Sequence, residues 1–403
     1  MRASIKFTLA SSLLLPTLII SGCGSSGGGD TTTPPADDST ALTTEQVAEQ
    51  ALGRKLFFDA DLSSEGNQSC ADCHAPVSGF ADPDVSNLAP VSEGSVTAAF
   101  GNRNAPTSAY AKFIPDFTKV TTTTVGGTAS HYRGGQFLDG RAIDLIEQAK
   151  GPFLNPVEMN NTDAAEVVSK VELASYSDEF IAVYGATAFD DVETAYTNIA
   201  TAIAAFEQST EMSPFSSKFD AVRTTGDITI FSESERRGMQ LFMDPVRAKC
   251  ANCHVITRPP VGATDENSIF SDFNYFNIGV PVNPANPSTD IDIGLAGNVN
   301  IDAADITTEE GKFRTPTLRN IAETAPYMHN GVYQTLEDVI RHYDITVATY
   351  LDDPGFVSQI SPQSVPEVTT NIAEELKVSL GLTPQEYIDL ESFMRTLSDG
   401  YVQ

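Results

Sequence analysis

Along this chain, polar stretches rich in Pro, Gly, Thr and Asn separate segments whose apolar residues recur every three or four positions, the period of a helix with one buried face. The first such segment carries Val47, Ala48, Ala51, Leu52 and Leu56. Thr43 and Gln46 precede it as a capping box, each side chain accepting from the other residue's backbone N–H. Ser232 and Glu235 repeat that box ahead of Leu241 and Phe242. Val192, Ala195, Tyr196, Ile199, Ile203 and Phe206 predict a strongly amphipathic helix over 190–208, and weaker patterns predict helices over 141–150 and 163–172. A last helix opens with Thr383 as cap, Pro384 at its first position and Glu386 closing the box, and lays Tyr387, Leu390, Phe393, Met394 and Leu397 along one face. Strand signals are short and scattered, so the expected class is mainly α.

The polar stretches have meanings of their own. Residues 1–22 carry Arg2 and Lys6, an apolar run from Phe7 to Ile20 and then Ser21-Gly22 before Cys23, which is the order of a secretory signal and too short a run to span a bilayer. Ending in a cysteine, the segment resembles a bacterial lipobox, which implies cleavage before Cys23 and lipidation there. Gly24 differs from the aspartate that retains lipoproteins at the inner membrane, so the outer membrane is the expected address. Residues 23–42 read as a flexible tether with a root-mean-square span of roughly 25 Å. A Thr- and Gly-rich insertion runs from Lys119 to Gly135, and an Asn-, Pro- and Asp-rich excursion from Arg258 to Glu310.

Chemistry enters through a repeat. Cys70-Ala71-Asp72-Cys73-His74 recurs as Cys250-Ala251-Asn252-Cys253-His254, and each copy follows Gly-x-x-Leu-Phe-x-Asp, at Gly53–Asp59 and Gly238–Asp244. Two thiols three positions apart with a histidine next to the second form the attachment signature of a c-type haem. The thiols add to the porphyrin vinyl groups and the imidazole ligates iron. A four-thiolate zinc knot or a redox Cys-x-x-Cys gives no reason for the two histidines. Two related haem domains follow, at 43–215 and 216–403: cytochrome c-like units with long loops and few short strands. The motifs use four of the five cysteines and Cys23 is the fifth, which leaves none for a disulfide. The formal charge of −30 becomes about −32 once Arg2 and Lys6 are removed, an acidic surface that repels nucleic acid and anionic lipid.

Four further motifs carry a resemblance: Gln136-Phe137-Leu138-Asp139-Gly140-Arg141-Ala142, Gly151-Pro152-Phe153-Leu154-Asn155-Pro156-Val157-Glu158-Met159, Arg314-Thr315-Pro316-Thr317-Leu318-Arg319-Asn320 and Ala325-Pro326-Tyr327-Met328-His329-Asn330-Gly331. With both haem motifs in order, residues 44–400 resemble the bacterial dihaem cytochrome c peroxidase family. That family includes the MauG-type enzymes, which oxidise residues of a partner protein. The resemblance implies that His74 is the proximal ligand of a peroxidatic haem. It implies that Glu158 is the catalytic acid-base group, with Gln148 and Pro152 lining its pocket. The second histidine that many members place about sixteen residues after the first haem motif is missing, since no histidine falls between His74 and His131. An open resting iron is the implied state, unless His131 folds back to fill it.

For the second haem the resemblance implies His254 as proximal ligand and Tyr343, fourteen residues after His329, as the residue opposite, with Met328 as the competing ligand. Tyrosine there resembles MauG. Asn104, Thr324 and Pro326 stand at the family's calcium positions, although Asn104 before Pro106 also fits an Asx-turn. Leu138 replaces the family's inter-haem tryptophan in a chain that has none, leaving Phe137 or Tyr132 as aromatic alternatives. The expected activity is reduction of hydrogen peroxide with electrons from a small redox protein, a cytochrome c or cupredoxin. The alternative is MauG-type oxidation of an oxidisable partner protein, and a non-enzymatic dihaem electron carrier is the reading from another class. Homodimers are common in the family.

Overall fold

The computed structural model describes residues 42–124, 127–256, 268–352 and 365–402; the signal segment, Cys23 and all of the tether but Leu42 lie outside them. The first half contains α1 (Thr44–Phe57), the short α2 (Cys70–Cys73), α3 (Leu145–Leu154), α4 (Ala164–Leu173), α5 (Ser177–Tyr184) and α6 (Val192–Glu207). The second contains α7 (Lys218–Thr225), α8 (Glu233–Met243), α9 (Ile306–Glu309), α10 (Leu336–Arg341), α11 (Val347–Asp352) and α12 (Pro384–Arg395). All three predicted capping boxes form, at Thr43, Ser232 and Thr383. The helix expected over 141–150 begins four residues later. Gly140 is left-handed at φ 69° and the chain turns helical only after Asp144, whose carboxylate accepts from Glu147 N at 2.9 Å.

The sequence repeat is a packing repeat. In the first core α1 lies against α6, burying Leu52, Leu56 and Phe57 on Ile199, Ile203 and Phe206. In the second, α8 lies against α12, with Phe242, Phe270 and Phe393 meeting edge to face. At each crossing the helices touch through the repeated glycine. A Cβ on Gly53 would sit 1.7 Å from Ala202 O, and one on Gly238 1.8 Å from Asp389 O. The repeated aspartate finishes the unit: Asp59 Oδ1 accepts from Asp61 N at 3.0 Å, and Asp244 Oδ1 from Val246 N at 2.8 Å.

The Thr-rich insertion is an antiparallel ribbon, β1 (Thr118–Thr124) with β2 (Gly127–Arg133), registered Thr118 to Arg133 and Val120 to His131. β-Branched threonine suits the pleat. Of the β2 side chains only Tyr132 is buried. A two-residue pair, β3 (Tyr275–Phe276) and β4 (Phe313–Arg314), completes the described strands.

Arg319, wholly buried, joins the two cores. Its guanidinium donates to Asp220 at 2.6 and 2.9 Å, and lies 4.9–5.7 Å from the ring centroids of Tyr110, Phe215, Phe219 and Phe270. Arg103 ties the halves again, reaching Asp139 at 2.6 Å and Asp292 at 2.5 Å.

Candidate active site

Both proximal sides are built alike. At the first motif the Asp72 carboxylate accepts from Ser69 N and Oγ at 2.7 and 2.6 Å, holding Cys70–Cys73 as one helical turn. His74 Nδ1 donates to Phe80 O at 3.2 Å and His254 Nδ1 to Phe270 O at 2.8 Å. Each of those carbonyls belongs to a left-handed phenylalanine, φ 62° and 59°. Each is also braced through the residue before it: Thr107 Oγ1 donates to Gly79 O at 2.6 Å and Thr317 Oγ1 to Ile269 O at 2.7 Å. The carbonyl fixes the tautomer, and burial holds both imidazoles below the usual range, so each keeps Nε2 as a free lone pair for iron. Burial raises all four thiols, those of Cys73, Cys250 and Cys253 to about 12. Among the described residues no three His, Cys, Asp or Glu side chains gather as a metal cluster, so the zinc-knot alternative is not formed.

The second motif opens onto a largely apolar cavity. Cys250, Cys253 and His254 line it together with Tyr343, Met328 and Leu138, a donor set that fits a covalent haem with a ligand from either Tyr343 or Met328. Tyr343 lies in a π turn, His342–Thr346, pinned on both sides. His342 is held between Tyr333 Oη at 3.0 Å and Ile278 O at 2.8 Å. Asp344 accepts from Ser379 Oγ, Gly381 N, Leu382 N and Tyr387 Oη at 2.7–3.1 Å. Burial raises the Tyr343 phenol, so phenolate forms there only against a cation. Asn104, Thr324 and Pro326 share this cavity wall. Asn104 Nδ2 donates to Pro90 O at 2.9 Å, a bond that does not engage Oδ1.

A cleft open to solvent is walled by Phe117, Tyr132, Phe137, Arg141 and Asn155, with Glu158 among its lining. The end of α3 builds the turn that carries Glu158: its N–H donates to Asn155 O at 3.0 Å, and Ser95 N donates to its carbonyl at 2.7 Å. Burial raises the Glu158 carboxyl, while Arg141 and a hydrogen bond from Asn155 pull it back. Its charge lies within electrostatic reach of both Cys70 and Cys73. Arg141 is fixed by Asp139 at 3.1 Å and lies 3.5 Å over Phe137. Gln148 and Pro152 are half-buried on α3 and are not part of the cleft lining.

The chain's five histidines are all placed. His74 and His254 close the two Cys-x-x-Cys-His motifs, and His342 is bonded at both nitrogens. His329 bonds Glu367 at 2.9 Å and stacks on Phe313 with ring centroids 3.9 Å apart. His131 is exposed on β2, where strand alternation sends its neighbour Tyr132 inward instead. Sequence reasoning missed Arg141 as the cation facing Glu158, although it stands in the quoted Gln136–Ala142 motif. It also missed Glu207, a buried acid beside Cys70 that burial pushes up to about 8 and whose Oε2 has no partner among the described residues. The end of an apolar helix face gave no signal for it.

The profile of the family described as di-haem cytochrome c peroxidase matches residues 47–228. The methylamine utilization protein MauG of Paracoccus denitrificans is 36% identical over 359 residues, covering 87% of this chain and 88% of that protein. The cytochrome c551 peroxidase of Nitrosomonas europaea is 32% identical, covering 75% and 74%. Among solved structures, the diheme peroxidase BthA of Burkholderia thailandensis E264 superposes with a TM-score of 0.75 at 32% identity, over 90% of this chain and 89% of that one. On this similarity the chain belongs to the di-haem cytochrome c peroxidase family, with one c-type haem at each Cys-x-x-Cys-His motif.

Proposed function

We propose that this protein is a peroxidase that reduces hydrogen peroxide to water at its N-terminal haem, residues 43–215, and takes electrons through its C-terminal haem, residues 216–403, from a small redox protein. The observation that carries this reading is Glu158 lining a solvent-open cleft and lying within electrostatic reach of Cys70 and Cys73, while His131 is exposed on β2 instead of turned inward. When bound, the haem supplies the iron and the electrons for O–O cleavage. The chain supplies the proton traffic. A carboxyl raised by burial and tempered by Arg141 can take the proton of one peroxide oxygen and return it to the other, and Arg141 steadies the negative charge in between. Glu158→Gln should leave both Soret bands intact and lower peroxide turnover by about 10²–10⁴-fold, the usual worth of a general acid-base group. Turnover within a few-fold of wild type would sink the assignment.

A second reading rests on Tyr343 in the C-terminal cavity: a MauG-type enzyme that uses peroxide to oxidise a partner protein. Consumption of reduced cytochrome c supports the first reading, and an oxygen or cross-link mass change on a partner supports the second. A non-enzymatic carrier predicts two low-spin irons indifferent to peroxide. We place the protein in the periplasm, anchored through a lipidated Cys23, with calcium held by Asn104, Thr324 and Pro326. Palmitate labelling of wild type against Cys23→Ser tests the anchor, and metal analysis of the purified protein tests the ion.

A further inference from the structure

We infer that Tyr132 is a redox-active residue of the peroxide cleft, oxidised to a neutral tyrosyl radical with Asp305 as its proton acceptor. The inference rests on the peroxidase reading above. Of the side chains lining that cleft, Tyr132 alone is oxidisable at accessible potentials: the lining holds no other tyrosine, no methionine, cysteine or histidine, and the chain has no tryptophan. The ring is 3% exposed and stacks on Phe117 with centroids 5.5 Å apart and planes 5° from parallel.

Its hydroxyl is arranged for coupled loss of a proton and an electron. Tyr132 Oη donates to Asp305 Oδ2 at 2.8 Å and accepts from Asp302 N at 2.8 Å. The carboxylate can take the proton, and the backbone N–H remains to support the bare oxygen. Lys119 Nζ lies 5.5 Å from the ring centroid and bonds Asp302 and Asp305 at 2.6 Å. A fixed cation beside the ring opposes a radical cation, so the electron leaves only if the proton leaves with it. Tyr275, the next ring beyond Phe117, donates to Gly134 O, and a carbonyl cannot accept a proton. Tyr110, Tyr176, Tyr184 and Tyr387 also donate to carboxylates, but none of them lines the cleft.

The balance closes. Hydrogen peroxide takes up two electrons and two protons and becomes two waters. Tyr132 gives one electron as its O–H bond breaks and the proton passes to Asp305; a haem would give the other, replaced in turnover by the small redox protein, and solvent supplies the two protons. One electron from an external reductant, with return of the proton from Asp305, restores the phenol.

The test uses the full-length, haem-loaded oxidised protein, mixed with one equivalent of hydrogen peroxide and freeze-quenched for electron paramagnetic resonance. Wild type should give an organic radical signal that narrows when tyrosine is supplied ring-deuterated. Tyr132→Phe, which keeps the stack on Phe117, should lose at least tenfold of it, and Tyr275→Phe should retain it. A Soret response to peroxide without an organic radical, or with the same radical in Tyr132→Phe, overturns this inference alone. No Soret response in wild type overturns the peroxidase reading and this inference with it.

Discussion

Single residues in this protein act through the partners the fold brings to them. Asp389 shows it on α12: Arg237 donates to it at 2.7 and 2.8 Å, Ser234 at 2.6 Å and Gln385 at 3.0 Å, and these bonds, Arg237 first, lower its carboxyl to about 2. Because the folded pKa lies below the ordinary 3.8, the stabilisation is complete above that pH and fades as pH falls through 2. It is worth on the order of 2 kcal/mol, less what solvent screens at the half-exposed Arg237. Asp389→Asn should therefore lower the denaturation midpoint at pH 5 and have little effect near pH 2; an equal deficit at both would rule the linkage out. The site's legibility divides along the same line. The two Cys-x-x-Cys-His motifs are legible in local spacing, and Glu158 is singled out only by the motif around it. The Tyr132–Asp305 bond spans 173 residues of sequence, so nothing near either residue announces it.

At the scale of elements, the capping boxes and the 3.6-residue periods located α1, α6, α8 and α12, because those signals are local hydrogen bonds and one-sided faces. The ribbon was legible only as an insertion. β1 is mostly threonine and β2 is mixed, with no apolar alternation in either to betray a pleat. The repeated glycine becomes intelligible only in the helix crossings. Gly53→Ala and Gly238→Ala should each destabilise their own core by about 1–3 kcal/mol through overpacking against Ala202 O or Asp389 O. Thermal melts followed at each haem's absorbance would report the two separately, and an unchanged melt for either variant would refute close packing there.

In the whole molecule the two cores are distinct, yet the halves interlock: Asn104 and Leu138, from the first, line the cavity of the second motif. Sequence repetition revealed two related units but not this exchange, which depends on long loops whose paths carry no periodic signal. Arg319 is the sharpest case, a residue of the second half whose ring cage includes Tyr110 and Phe215 from the first. Arg319→Met strands the Asp220 carboxylate and should cost about 3–5 kcal/mol in chemical denaturation, much of it recovered when Asp220→Leu is added. A loss under about 1 kcal/mol would show that the pair is not what joins the cores.

The threonine ribbon packs mainly on itself and on β3, yet it supplies one wall of the cleft that Glu158 lines. Homologous enzymes are therefore free to lengthen, shorten or rewrite that flap with little penalty to folding. Natural diversification of what enters and leaves should concentrate there, while the two metalloporphyrin seats stay constant.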